Sequence, residues 1–189
     1  MSVFFANEQN DKVVDGEQLT GVALVAMEAE GVEESELSII VVGTDVMTEL
    51  NERYMEGAEG PTDVLAFPID GPELVTGPPD GPVSPGSYGG RTGDFDEDDD
   101  EEADDEPWLL GDVVLCPAYA ARQAARAGQT LAAELEMLVV HGILHLCGMD
   151  HAEPEEERIM KARTDELLAR WRAEPSRRPD AAPRGGTGG

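Results

Sequence analysis

At 189 residues and 40% hydrophobic composition, the chain is long enough for one domain around a single core, and no internal repeat divides it. Its 41 acidic against 13 basic side chains leave a formal charge of -28, which argues against a broad polyanion-binding face, because affinity for nucleic acid ordinarily comes from clustered lysine and arginine. No apolar run reaches the roughly 18 residues of a membrane span, the N-terminus lacks a basic start followed by a long apolar stretch, and two cysteines build no disulfide framework, so a cytoplasmic protein is expected.

In chain order, the pattern predicts an α+β fold, a small mixed β-sheet packed against helices. Val3 to Ala6 reads as a short strand, and Leu19, Val22, Ala23, Ala26 and Met27 recur at helical spacing from Gly16 to Glu30 before Gly31 ends the run. Leu37 to Val42 is a continuous apolar stretch rich in β-branched residues, which predicts a strand covered on both faces and central in the sheet. Thr44 is the expected cap of a second helix reaching about Met55, and Gly57, Gly60 and Pro61 break the chain before a strand from Asp63 to Phe67. From 68 to 107 the composition turns to Gly, Pro and a nearly unbroken acidic run, which reads as a disordered insertion inside the domain and chiefly a solubilising loop. Asp112 to Cys116 is the next strand, Pro117 opens an alanine-rich helix closed by Gly128, and a last helix runs from about Pro154 to Trp171. The domain thus spans 1–172, and 173–189 is expected to be a disordered tail.

Between those last two helices lies the stretch with the clearest chemistry. Thr130 is a plausible cap, and Leu131, Leu135, Leu138, Val139, Ile143 and Leu144 make the following helix apolar on nearly all sides, so His141 and His145 are expected to sit deep. Two histidines four apart share one helix face. Gly148 stands where a helix commonly stops in a left-handed turn, a turn that can bring His151 back as a third ligand. Three neutral imidazoles suit zinc, one ion per chain, and leave a coordination position open for water or substrate. Cys147 points away from His145 and is expected to be a buried, inert thiol.

As a pattern this is HxxxHxxGxxH, the spacing of a zincin-like metal helix, but Gly142 stands where zinc peptidases place their glutamate base. The run from His141 to His151 resembles the signature HGxLHLxGyDH of the YbeY family, with Met149 at the position where an aromatic is often found. Leu50-Asn51, Tyr54 and Pro61 to Pro68 look like that family's asparagine and tyrosine followed by PTDVLSFP, with Ala66 for the serine, and Leu110-Gly111-Asp112-Val113 looks like its LGD segment. Met55 replaces an arginine that many members carry, and Arg53 nearby reads as an exposed helix residue.

The resemblance implies a metal-dependent, single-strand-specific endoribonuclease acting in 16S rRNA 3' end maturation and ribosome quality control, with His141, His145 and His151 as zinc ligands. Its partners would be single-stranded rRNA and the ribosome or small-subunit proteins, and no membrane. Residue chemistry alone reaches a metal-dependent hydrolase with an open three-histidine site; the proton acceptor is unassigned, with Asp150 and Asp112 as weak candidates and Glu134, seven residues before His141, as a supporting one. Two rival readings are a hydrolase of a non-RNA substrate and a non-catalytic ribosome-associated factor with a structural metal. Arg122, Arg126 and the tail arginines are the expected basic rim.

Overall fold

The computed structural model describes residues 1–55, 57–69, 108–150 and 153–174. The bulk of the expected insertion and tail, and His151, lie outside the described residues.

Four strands, β1 (Ser2–Asn7), β2 (Ser35–Val41), β3 (Val64–Pro68) and β4 (Trp108–Leu115), form one sheet in the order β1-β2-β4-β3. β1, β2 and β4 run parallel and β3 is antiparallel to β4, a mixed sheet as expected, with β2 inside it. Residues of β2 alternate between buried and half-buried, so one of its faces is only partly covered. Pro68, assigned from sequence to the insertion, is the last residue of β3 and pairs with Gly111.

Five helices complete the described fold: α1 (Gly16–Glu30), α2 (Thr44–Tyr54), α3 (Pro117–Ala127), α4 (Leu131–Leu146) and α5 (Pro154–Ala173). Their ends follow the chemistry read from the sequence in most cases. Gly31 and Gly128 close α1 and α3 in left-handed conformations at φ 72° and 68°, where a side chain would be strained. The Thr130 hydroxyl accepts from the Ala133 N–H at 3.2 Å. At α2 the cap is Gly43 rather than Thr44, and the Thr44 carbonyl instead accepts from the Thr48 hydroxyl at 2.8 Å. α5 runs to Ala173, two residues beyond the expected Trp171.

The larger apolar cluster packs α1, α4 and α5 against Leu37 and Ile39 of β2 and Leu110, Val113 and Leu115 of β4. A smaller one seats Met47 of α2 against Leu65, Val114 and Cys116, on the other face of the sheet. β4 begins four residues earlier than expected, and between Glu36 and Leu37 of its partner the register shifts, so Leu110 is an extra residue turned into the larger core. Gly111 at φ 148° makes this shift possible; a Cβ there would stand 2.3 Å from the Phe67 carbonyl oxygen.

One buried carboxylate ties the helical layer together. Glu136 accepts from the Trp171 indole N–H at 2.9 Å and from the Gln18 amide, joining α4 to α5 and to α1. At the other side of α1, Arg163 donates to Glu30 at 2.7 Å and to the Ala29 carbonyl at 3.1 Å. Among the described residues no helix is long and apolar enough to cross a membrane.

Candidate active site on helix α4

α4 supplies the floor of the site. Residues seven apart on a helix differ by roughly 20° about its axis, so Glu134 and His141 share a face, with His145 one turn further along it. Both histidines are half-buried rather than deep. Their rings meet edge to face with centroids 4.7 Å apart, and the two Nε2 atoms stand 3.2 Å apart.

Two imidazole nitrogens bound to one tetrahedral ion at about 2.0–2.1 Å would stand roughly 3.4 Å from each other. The observed separation fits a shared ion. It also fits a single N–H···N hydrogen bond between opposite tautomers, the form the pair takes without an ion. Among the described residues no third His, Cys, Asp or Glu completes a ligand set. The expected third ligand, His151, lies outside them.

The helix end that leads toward His151 is formed as the sequence suggests. Cys147 is the C-cap, Gly148 is left-handed at φ 84°, and the Gly148 and Met149 N–H groups donate to the His145 and Leu144 carbonyls, both at 2.9 Å. Asp150 follows, exposed. Cys147 is buried, and burial first and the Glu30 charge second push its thiol up to about 12, so it is a poor nucleophile.

Gly142 faces the sheet. A Cβ on it would lie 2.9 Å from both γ carbons of Val113, so the position that holds the peptidase glutamate here sits against β4, away from the histidine face. Asp112 is displaced in a different sense. It alternates with Val113 on β4 and so shares the Val114 face, covered by α2 and opposite to α4. The sheet therefore separates Asp112 from the histidines, and it is removed as a candidate base.

Glu134 does share their face. It is 5% exposed, and its carboxyl pKa is raised, first by burial and then by the like charge of Asp63. Asp63 was quoted from the sequence only as part of a motif; the structure makes it a junction. Its side chain accepts from the Gln123 amide of α3 at 2.5 Å, from the Val64 N–H at 2.9 Å and from the Thr62 hydroxyl at 3.0 Å, and its carbonyl accepts from the Cys116 N–H at 2.8 Å. The two polar residues, Thr62 and Asp63, that follow Pro61 at the mouth of a strand were the available signal.

The remaining motif residues support the loop before β3. Asn51 is buried and donates to the Gly60 carbonyl at 2.8 Å, while Tyr54 meets Phe67 edge to face at 5.2 Å. Arg53 lies exposed with its guanidinium 5.4 Å from the centre of the Tyr54 ring, and Met55 is the exposed C-cap of α2. Of the expected basic rim, Arg122 lies over Tyr119 and Arg126 is exposed in the last turn of α3.

The frame is a four-stranded mixed sheet packed against helices, one of which carries a half-buried histidine pair, and comparison with known sequences names the family. The family model Endoribonuclease YbeY matches residues 4–172. Endoribonuclease YbeY of Salinispora tropica is 46% identical over 178 residues, covering 94% of this chain and 100% of that one. The Nocardioides sp. protein of the same name is 45% identical over 174 residues, covering 92% and 99%. A protein from Thermotoga maritima solved in solution is 24% identical with a TM-score of 0.49, covering 97% of this chain and 99% of that one. The chain belongs to the YbeY endoribonuclease family.

Proposed function

We propose that this protein is a single-strand-specific, zinc-dependent endoribonuclease of the cytoplasm, acting in maturation of the 16S rRNA 3' end and in ribosome quality control. The observation that carries the reading is the His141–His145 pair, with Nε2 atoms 3.2 Å apart on the open stripe of α4, in a chain of this family. His151, by the family resemblance, would complete the ligand set of one zinc ion. Bound there, the ion supplies Lewis acidity and positive charge beside a scissile phosphate.

The chain's own residues do the rest. His141 and His145 must present unprotonated Nε2 lone pairs, so their ring protons sit on Nδ1. His141 and His145 are half-buried, so both rings stay accessible to a substrate strand. Glu134 shares this face but stands two turns before His141, roughly 10 Å along the axis at about 1.5 Å per residue, so it acts on the site as a neighbouring carboxyl and not by direct proton transfer. Gly142 offers no peptidase base, which disfavours peptide hydrolysis.

A charge of -28 makes unaided capture of free RNA weak. The substrate is therefore presented by the ribosome or a small-subunit protein. The test is cleavage of single-stranded RNA carrying the 3' end of precursor 16S rRNA, with and without ribosomes, and analysis of the ends. Products with 5'-phosphates indicate attack by water, and 2',3'-cyclic phosphates indicate attack by the RNA's own 2'-hydroxyl. Absence of zinc-dependent cleavage under both conditions refutes the reading.

A further inference from the structure

His141 belongs to a second feature besides the histidine pair, a cavity of about 470 Å³ between α4 and α5. It extends along α4 from His141 back past Met137 to Gln129, and along α5 from Glu157 to Arg172. Because only residues 147–153 join the two helices, they run antiparallel, and the cavity is a groove leading away from the histidines toward the far end of the pair.

The basic residues of α5 divide sharply according to whether they face this groove. Arg158 pairs with Glu155 at 2.6 Å, Arg163 with Glu30 and Glu166 at 2.7 Å, and Arg170 with Glu28 at 2.9 Å; none of the three lines the groove. Lys161 and Arg172 do line it, and both are exposed and make no ion pair with any described residue. Lys161 and Arg172 are thus the α5 cations that no described carboxylate holds in an ion pair, while Glu157 and Asp165 on the same wall bring the formal charge of the groove lining to zero. Along the axis they are roughly 16 Å apart at about 1.5 Å per residue, so they can meet separate phosphates of one strand.

Resting on the endoribonuclease reading, we infer that this groove carries the single-stranded RNA as it leaves the histidine site, with Lys161 and Arg172 each set against a backbone phosphate. Glu157 and Asp165, one turn to either side of Lys161, also line the groove, and their charge keeps the contact weak and strongly dependent on salt. That weakness suits an enzyme whose substrate is delivered by a partner. The thioether of Met137 on the opposite wall gives the bases an apolar surface.

The test is the salt dependence of RNA binding. Affinity of the zinc-loaded, full-length protein for a labelled single-stranded 2'-O-methyl RNA, a poor substrate for cleavage, is measured from low to moderate salt. Each phosphate contact to a single strand contributes about 0.7 to the slope of log K against log salt, so the double variant Lys161→Ala/Arg172→Ala is expected to lower its magnitude by about 1.4. Arg158→Ala/Arg170→Ala, which removes the same charge from outside the groove, is expected to leave the slope as in the wild type. Glu157→Gln is expected to tighten binding at low salt. If the wild type cleaves RNA but the groove variant keeps the wild-type slope, the groove assignment is wrong and the endoribonuclease reading stands. If the wild type binds no RNA at low salt, the groove assignment falls, and the endoribonuclease reading falls with it only if cleavage is also absent when ribosomes are supplied.

Discussion

Gly142 and Val113 are pressed together so closely that any side chain at 142 would lie within 2.9 Å of both Val113 γ carbons. This contact is where α4 meets β4, and it decides which stripe of α4 remains open for the histidines. It also means that the absence of a glutamate after His141 is a packing requirement of this fold.

Gly142→Ala should therefore destabilise the protein. Overpacking a core costs about 1–3 kcal/mol, against roughly 1 kcal/mol recovered by removing a helix glycine. In a Val113→Ala background the same substitution should become stabilising relative to Val113→Ala alone. Urea denaturation of the four proteins checks this; additive effects of the two changes would show that the contact is not what limits residue 142.

Gly111→Ala should be worse. Its φ of 148° is strained for any L side chain, and the new Cβ would meet the Phe67 carbonyl oxygen at 2.3 Å, an atom held by the β3–β4 ladder. Backbone strain alone costs about 1–3 kcal/mol and the clash adds to it. The expected readout is a midpoint far below wild type, or insoluble protein. A variant with wild-type stability would contradict the bulged register at Leu110.

Glu136→Ala should cost about 1.5–3 kcal/mol, because it leaves the buried Trp171 indole N–H without its charged acceptor. Glu136→Gln keeps an oxygen in place and should lose much less. Thermal unfolding of both variants separates hydrogen bonding from packing, and equal losses would argue that the acceptor is unimportant.

Glu134 gives a pH signature. Its folded-state pKa is raised above the ordinary 4.5, so folding favours its protonated form. That contribution is fully present below 4.5 and is lost as pH rises through the raised value. Glu134→Gln, which cannot ionise, should match the wild type in acid and become the more stable protein as pH rises, with the gap levelling off once the wild-type carboxyl is ionised. Parallel stability curves across this range would show that Glu134 is not held in an environment hostile to its charge.

Caps and turn residues made most elements legible before the structure, since Gly31, Gly128, Pro117, Thr130 and Gly148 each mark an end by local chemistry alone. The early half of β4 was hidden because Trp108 to Gly111 follows an acidic run and contains a glycine, and only pairing with β2 makes it a strand. Histidine spacing on α4 was legible; histidine depth was not. An all-apolar helix predicts burial on every side, while the actual covering depends on which elements pack against each stripe of α4. Asp112 failed as a candidate for a related reason, because strand neighbours one residue apart face opposite layers and the sequence does not say which layer holds the histidines. Asp63 and Glu134 are far apart in the chain, and nothing local couples them.

The most direct test of the central claim compares zinc content and RNA cleavage of the wild type with His145→Ala, both purified free of contaminating nuclease. One zinc per wild-type chain, with loss of both zinc and zinc-dependent cleavage of the 16S precursor 3' end in the variant, is the predicted result. Full zinc occupancy and undiminished cleavage in His145→Ala would contradict it, because the α4 pair would then be neither the metal site nor the seat of the activity.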